Sequence, residues 1–158
     1  MWSKLFAVSM VWALCSLGGI ASAQVVDKKV LSLEGAKKIA AAAEVEARKN
    51  SWNVVIAIVD DGGHLIYLQR LDGTQTGSVD VAIGKAKTSA GFKRPTKAFE
   101  DAIAGGRNAI LGLHGATPLE GGLPVIVNGQ VVGAIGVSGV KSTEDAQIAK
   151  AGIDALAN

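Results

Sequence analysis

The sequence predicts an α+β fold in which two β-hairpins form one antiparallel sheet flanked by helices. The turn sequences Asp60-Asp61-Gly62-Gly63 and Asn128-Gly129 each stand between runs of apolar, largely β-branched residues, a pattern typical of hairpins. Apolar residues recur at helical spacing before, between and after the two hairpins. The resulting order, α-β-β-α-α-β-β-α, is typical of a sheet with helices packed on its faces.

The first 23 residues are typical of a secretory signal peptide. Lys4 supplies a positive charge, residues 5–20 are mostly apolar, and Ala21-Ser22-Ala23 matches the A-x-A cleavage pattern. A transmembrane helix needs ~20 apolar residues, so an uncleaved membrane anchor is the weaker alternative. We therefore expect residues 1–23 to be removed and residues 24–158 to form a single domain. The mature protein is expected to be periplasmic or secreted, without a stable membrane anchor.

Composition excludes several classes of protein. Of the 158 residues, 16 are Lys or Arg and 14 are Asp or Glu, which gives a formal net charge of +2. This balance is too even for a nucleic-acid-binding surface, so no nucleic-acid partner is expected. The single cysteine, Cys15, lies in the predicted signal peptide. The mature domain is therefore expected to have neither a disulfide framework nor a multi-cysteine metal site.

The first helix and the first hairpin follow from local patterns. Ser32 is a candidate N-cap for a helix whose apolar residues recur through residues 33–47, and Asn50 ends this helix. The runs Val54–Val59 and His64–Arg70 predict the two strands of the hairpin. The glycine-containing turn between them requires positive φ angles.

Two further helices are expected between the hairpins. Ser78 is placed to cap the first of them, whose apolar stripe consists mostly of small residues between positions 79 and 90. Pro95 interrupts helical continuity, and Thr96 is placed to cap a short helix that Gly105-Gly106 ends. Basic residues in this region are expected to form a solvated face, and they are Lys85, Lys87, Lys93, Arg94 and Lys97.

The last third of the chain predicts a connecting segment, a hairpin and a helix. Residues 107–119 lack a clean period and predict a connection that contains one helical turn around residues 108–111. The second hairpin pairs Leu123–Val127 with Gln130–Val137 across the Asn-Gly turn. Ser142 or Thr143 is then expected to cap a final helix. Its predicted apolar stripe consists of Ala146, Ala149, Ile153 and Leu156.

The sequence contains no recognisable catalytic constellation, so enzymatic activity is left open. A serine or threonine hydrolase would need His64 or His114 as its base, but no G-x-S-x-G nucleophile elbow is present. The two histidines do not have the spacing of a zinc site. His114 follows Leu113 in the connecting segment, where a scaffold-held loop concentrates ligand contacts. It is therefore a candidate ligand-binding residue, with a solvated loop histidine as the alternative.

Four sequence blocks together resemble the GlcG/HbpS family of haem-binding, haem-degrading-domain proteins. Val59–Gly73 resembles the first hairpin of that family, with its pattern VD.GGHL followed by R.DG. Gly84–Thr96 resembles the family's KA.TA..F..PT helix, and Pro118–Pro124 resembles P..GG.P. Val131–Gly139 resembles the closing strand VGAIGVSG. The blocks occur in the family's order and cover nearly the whole mature chain.

The resemblance implies a profilin-like α/β sandwich that assembles into a dimer or a larger ring. It implies binding of haem or another tetrapyrrole by an exported protein, in haem handling or redox-stress sensing, and haem degradation as a further activity of the family. Because the sequence has no C-x-x-C-H motif, any haem would be held non-covalently.

The resemblance also implies that the connecting segment forms the haem site. His114 is the best candidate for a haem iron ligand, and the hydroxyl of Thr117 is the alternative. Arg70 or Lys85 would meet the haem propionates. Apolar residues of the segment would line the slot for the porphyrin, and they are Leu111, Leu113 and Leu119.

Two other functions remain open at this point. Relatives in glycolate-utilisation operons, together with the basic residues around the second helix, favour a binder of, or an enzyme acting on, a small organic acid. Small-residue helix stripes and apolar strands equally fit a structural or sensory oligomer that contacts a partner protein.

Overall fold

The computed structural model describes residues 26–156, so the predicted signal peptide lies outside the described residues. The elements follow the predicted order, with a short 3₁₀ turn at Asn108–Gly112 in the connecting segment. The helices are α1 (Leu33–Lys49), α2 (Ser78–Phe92), α3 (Lys97–Ala104) and α4 (Ser142–Asp154). The strands are β1 (Val55–Asp60), β2 (Leu65–Arg70), β3 (Gly122–Val127) and β4 (Gln130–Ser138). None of the helices within residues 26–156 is long and apolar enough to cross a membrane.

The four strands form one antiparallel sheet in the order β2-β1-β4-β3. β1 lies in the middle of the sheet, where its Val55 is paired with Arg70 of β2 and with Ser138 of β4. β4 in turn pairs its Gly136 with Gly122 of β3. The two hairpin turns therefore lie at one end of the sheet, and the start of β3 lies at the other. The predicted α+β class with two paired hairpins is confirmed.

The two faces of the sheet are covered in different ways. The larger core lies between the sheet and the helices α1 and α4, and it contains Ile39, Ile56, Ile135 and Ile148, each with no exposed surface. On the opposite face α2 packs so closely that a Cβ on Gly136 would overlap the backbone carbonyl of Ala82. Small residues on α2 permit this approach, as the predicted stripe of small side chains requires.

Local turn and cap chemistry agrees with the prediction at three positions. The hydroxyl of Ser32 accepts a hydrogen bond of 3.1 Å from the N–H of Gly35 and so caps α1. In the second hairpin Asn128 and Gly129 have φ angles of 51° and 77°, the left-handed pair that an Asn-Gly turn supplies. Gly63 takes φ 84° in the first hairpin turn.

The predicted caps of α2 and α4 are wrong, and the predicted cap of α3 is correct in position but makes no side-chain capping bond. Ser78 is the first residue of α2, and its hydroxyl lies 3.3 Å from that of Ser138. Thr96 is the N-cap residue of α3, as predicted, but its hydroxyl accepts the N–H of Gly122 at 2.9 Å instead of capping the helix. Lys141 is the N-cap residue of α4, and its N–H donates to Glu144 at 3.1 Å, whereas Ser142 is the first helical residue. Each cap was predicted from local sequence, and in α2 and α3 the hydroxyl instead bonds to a residue distant in sequence.

The buried face of α4 differs from the predicted stripe. Ile148, Ala149 and Gly152 are buried, together with the charged residue Asp145, whereas Ala146 is only partly buried. The helix is rotated so that Asp145 faces inward, because this carboxylate has a cationic partner in the interior.

Candidate functional site

The connecting segment, which in the structure spans residues 107–121, is an aperiodic loop whose start is anchored by a buried side chain and whose end is held by hydrogen bonds to α2 and α3. Near its start Ile110 is buried and anchors the 3₁₀ turn. Near its end the N–H of Thr117 donates to the hydroxyl of Thr88 on α2 at 2.7 Å. The N–H of Glu120 donates to the carboxylate of Glu100 on α3. A loop fixed at both ends presents its middle residues in a defined geometry.

The middle of the connecting segment exposes apolar side chains to solvent. Leu111 is 67% exposed, Leu119 is 43% exposed and Leu113 is 38% exposed. His114 is also exposed, and its imidazole makes no hydrogen bond to any residue in the described range. The connecting segment thus carries three exposed leucines and an exposed imidazole, and exposed apolar side chains that share a loop are a feature of binding surfaces.

A cleft of about 210 Å³ opens beside the start of this segment. Phe92 and Phe99 form part of its wall, with their ring centroids 5.1 Å apart in an edge-to-face arrangement. Arg94 places its guanidinium 5.7 Å from the centre of the Phe99 ring, a cation–π contact. The remaining lining residues are Ala98, Ala102, Arg107, Ile110 and Leu113. The cleft is thus apolar and aromatic inside, with two guanidinium groups in its lining.

Two of these residues were missed by sequence reasoning as members of the site. Arg94 was predicted only as part of a solvated basic face, and Arg107 was predicted only as the first residue of the connection. Arg94 follows α2 and Arg107 follows α3, and the two residues share a cleft because α3 returns the chain toward the end of α2. Arg94 stands two residues after the aromatic residue Phe92, and this proximity was the one local sign of the site.

Thr117 lies at the site but turns its hydroxyl toward α2. A Cβ on Gly84 would overlap this hydroxyl, so the absence of a side chain at Gly84 makes room for Thr117. Thr117 therefore fixes the position of the connecting segment against α2.

Lys85 lies in the protein interior, contrary to the expected solvated face. Its side chain is 2% exposed, and its ammonium donates to the carboxylate of Asp145 at 2.7 Å and to the carbonyl of Val137 at 2.9 Å. Burial is the main cause that raises the pKa of Asp145, against the lowering effect of Lys85. Because its ammonium is buried and engaged, we set aside the expectation that Lys85 meets a propionate.

Arg70 is exposed but lies on the far edge of the sheet from the connecting segment. It ends β2, whereas the segment leads into β3 at the opposite edge. Three strand spacings, about 14 Å, separate these edges. The fold therefore brings Leu113, the sequence neighbour of His114, into the lining of the aromatic cleft and does not bring Arg70 to it.

Within residues 26–156 no group of three or more histidine, cysteine, aspartate or glutamate side chains is arranged to hold a metal ion.

Comparison with known proteins decides the family. The family model described as "Haem degrading protein HbpS-like" matches residues 31–154, which span all four helices and all four strands. The chain belongs to the HbpS-like family. The Protein GlcG of Escherichia coli strain K12 is 45% identical over 111 residues, which cover 70% of this chain and 83% of GlcG.

Solved structures of the HbpS-like family share this fold. A doubly substituted variant of HbpS from Streptomyces reticuli has 33% identity and a TM-score of 0.79, covering 95% of this chain and 98% of its own. The crystal structure of a PduOC–haem complex has 26% identity and a TM-score of 0.73, covering 80% of this chain and 94% of its own. The predicted family and fold class are both confirmed, and one solved relative is a haem complex.

Proposed function

We propose that this protein binds haem non-covalently at the connecting segment, with His114 as the iron ligand. The observation that carries the proposal is the composition of the site: an exposed imidazole, three exposed leucines and an aromatic cleft lined by two guanidinium groups. Membership of the HbpS-like family and the haem complex of a solved relative support it.

The residues at the site fit the chemistry of haem. A porphyrin is a planar apolar ring, and Leu111, Leu113 and Leu119 offer an apolar surface for it. Its two propionates are anionic, and the guanidinium groups of Arg94 and Arg107 are suited to carboxylates. A neutral imidazole is the commonest protein ligand of haem iron, which His114 supplies when haem is bound.

The size of the cleft indicates how such a ligand would be placed. Small-molecule pockets usually measure ~300–1,000 Å³, so a cleft of about 210 Å³ holds only part of a porphyrin. The remainder of the ring would lie over the exposed leucines. A second copy of the chain would then cover the ring, which supports the expected homo-oligomer.

The export prediction completes the proposal. The N-terminal pattern of residues 1–23 supports a periplasmic or secreted protein, which would take part in haem handling there. N-terminal sequencing of the protein recovered from a periplasmic or culture fraction tests this, and the expected first residue is Gln24. Recovery of the chain with Met1 in the cytoplasmic fraction would contradict it.

Titration of the purified mature protein with haemin tests the ligand. We expect a saturable shift of the Soret band for the wild-type protein, and a weakened and spectrally altered complex for His114→Ala. His64→Ala is the matched control, because His64 is also exposed but lies at the hairpin-turn end of the sheet. A non-saturating titration, or equal effects of the two substitutions, would overturn the proposal.

A further inference from the structure

A second and larger cleft lies at the other end of the sheet. Its volume is about 550 Å³, which falls within the usual range for small-molecule sites. It is formed where the chain preceding α1, the first hairpin turn, the end of α2 and the second hairpin meet. We call it the hairpin-tip cleft, and it is lined by Val26, Asp27, Lys28, Lys29, Asp61, Lys93, Ile126, Gly129, Gln130 and Val131.

The walls of the hairpin-tip cleft are tied together. The N–H of Leu31 donates to the carbonyl of Val132 at 3.1 Å and so attaches the N-terminal chain to β4. Lys28 forms an ion pair of 2.5 Å with Asp61 of the first hairpin turn. These contacts hold the N-terminal chain against both hairpins, so the cleft has defined sides.

The charges in the hairpin-tip cleft leave cations available to a ligand. Lys28 neutralises Asp61, whereas Lys29 and Lys93 form no ion pair with any residue from 26 to 156. Asp27 is the one other carboxylate in the lining. Among the described lining residues, the two lysines without an ion pair, Lys29 and Lys93, therefore outnumber the one remaining carboxylate, that of Asp27.

Lys93 is held in a costly backbone conformation at the edge of this cleft. It ends α2 with φ 53° and ψ 40°, the left-handed conformation that glycine or asparagine normally provides at this position. A lysine is sterically strained there, because its Cβ crowds the following carbonyl oxygen. Strained residues of this kind are concentrated at functional sites, and here the strain accompanies an ammonium without a partner.

The hairpin-tip cleft is also lined by apolar side chains. Val26 and Ile126 are 90% and 56% exposed, and Val131 is partly buried beside them. A fully hydrated inorganic anion would gain nothing from these side chains. A ligand with a carboxylate at one end and a hydrocarbon part would use both the lysines and the apolar wall.

We propose that the hairpin-tip cleft binds an amphipathic organic carboxylate, with Lys29 and Lys93 facing its anionic end and Ile126 contacting its hydrocarbon part. This site is separate from the connecting segment, which the fold places beside α3 and the start of β3. The inference therefore does not depend on haem binding.

Thermal unfolding and calorimetry of the mature protein with octanoate test the site. Octanoate is expected to raise the melting temperature because it binds the native state, and acetate and 1-octanol at the same concentration are expected to have little effect. Lys29→Gln and Lys93→Asn should each weaken octanoate binding about threefold to tenfold. Asparagine is chosen at position 93 because it tolerates the left-handed conformation.

Two matched variants make the result decisive. Lys38→Gln removes an exposed lysine of α1 outside the cleft and should leave octanoate affinity unchanged. His114→Ala should also leave it unchanged. Wild-type affinity in the Lys29→Gln/Lys93→Asn double variant would overturn the proposal, as would equal responses to octanoate and 1-octanol or tighter binding of inorganic phosphate. A loss of octanoate binding in His114→Ala would assign the carboxylate to the other cleft and equally overturn it.

Discussion

Lys85 and Asp145 form an ion pair in the interior that joins elements from opposite faces of the sheet. Their side chains are 2% and 3% exposed, Lys85 comes from α2 and Asp145 comes from α4. Gly121 lies directly against the pair, because a Cβ at this position would stand 2.8 Å from the ammonium nitrogen. The pair therefore supports the end of the connecting segment as well as the packing of two helices.

We expect Lys85→Met to lower the free energy of unfolding by about 3–5 kcal/mol at pH 7, because it leaves a buried carboxylate without its partner. Burial already raises the pKa of Asp145, so this carboxyl group takes up a proton more readily in the folded protein than in the unfolded chain. The loss in Lys85→Met should therefore shrink as the pH falls from 7 toward that raised pKa. Urea unfolding at a series of pH values measures both effects.

The double variant Lys85→Met/Asp145→Leu is the control for this prediction. It removes both charges, so its loss of stability should be smaller than that of Lys85→Met and independent of pH over the same range. A pH-independent loss in Lys85→Met would show that the titration of Asp145 is not involved.

Arg94 and Arg107 are expected to determine the preference for an anionic porphyrin. Arg94→Gln and Arg107→Gln should each weaken haemin binding about threefold to fivefold, because each removes a partly solvated guanidinium–carboxylate contact. The dimethyl ester of haemin lacks the propionate charges, so its affinity should be the same in both variants and the wild type. Arg48→Gln on α1 is the control. Equal losses for haemin and its ester would contradict the assignment of the propionates to these arginines.

At the scale of elements, α2 packs against both the sheet and the connecting segment, and Gly84 allows the contact with the segment. A Cβ on Gly84 would overlap the hydroxyl of Thr117, whereas a Cβ on Gly91 in the same helix would meet no atom within 4 Å. These two glycines lie two turns apart and so provide a matched pair.

We expect Gly84→Ala to destabilise the protein by about 1–3 kcal/mol, because the new methyl group displaces Thr117 and the end of the connecting segment. Gly91→Ala should instead stabilise it by about 0.5–1 kcal/mol, since alanine is the better helix former. Thermal or urea unfolding compares the two variants. The double variant Gly84→Ala/Thr117→Ala should recover part of the loss. Equal effects of the two glycine substitutions would show that α2 does not hold the segment in this way.

The elements that could be predicted from sequence are those whose stabilising contacts are local. Both hairpins follow from turn residues that adopt positive φ between alternating runs, and the α1 cap follows from Ser32 and the N–H three residues later. The side-chain capping bonds predicted for Ser78 and Thr96 are absent because these hydroxyls bond to Ser138 and Gly122, which are distant in sequence.

In the candidate site, too, the features that depend on local sequence could be predicted and those that depend on distant contacts could not. Leu113 and His114 could be proposed as site residues from the sequence because they lie in the aperiodic segment itself. The aromatic cleft could not be predicted from the sequence, because Arg94 and Phe99 come together only when α3 packs near the end of α2. The burial of Lys85 was equally hidden, because its partner Asp145 lies 60 residues further along the chain.

At the scale of the whole molecule, the exposed leucines of the connecting segment favour an assembly of several copies. A cleft smaller than a porphyrin leaves much of the ligand uncovered in one chain, so a second copy is expected to shield it. Gel filtration of the mature protein at several concentrations should give an oligomer, and Leu111→Ser/Leu119→Ser should shift it toward the monomer. A strict monomer at all concentrations would contradict this expectation.

The central claim is that the chain carries haem through His114, and the absorption spectrum of the protein isolated from its own extracytoplasmic fraction tests it most directly. We predict a Soret band in protein taken from haem-replete cells, displaced in wavelength and reduced in intensity in His114→Ala but unchanged in His64→Ala. A wild-type spectrum that shows only protein absorption near 280 nm, about the position expected of Trp and Tyr, would contradict the account.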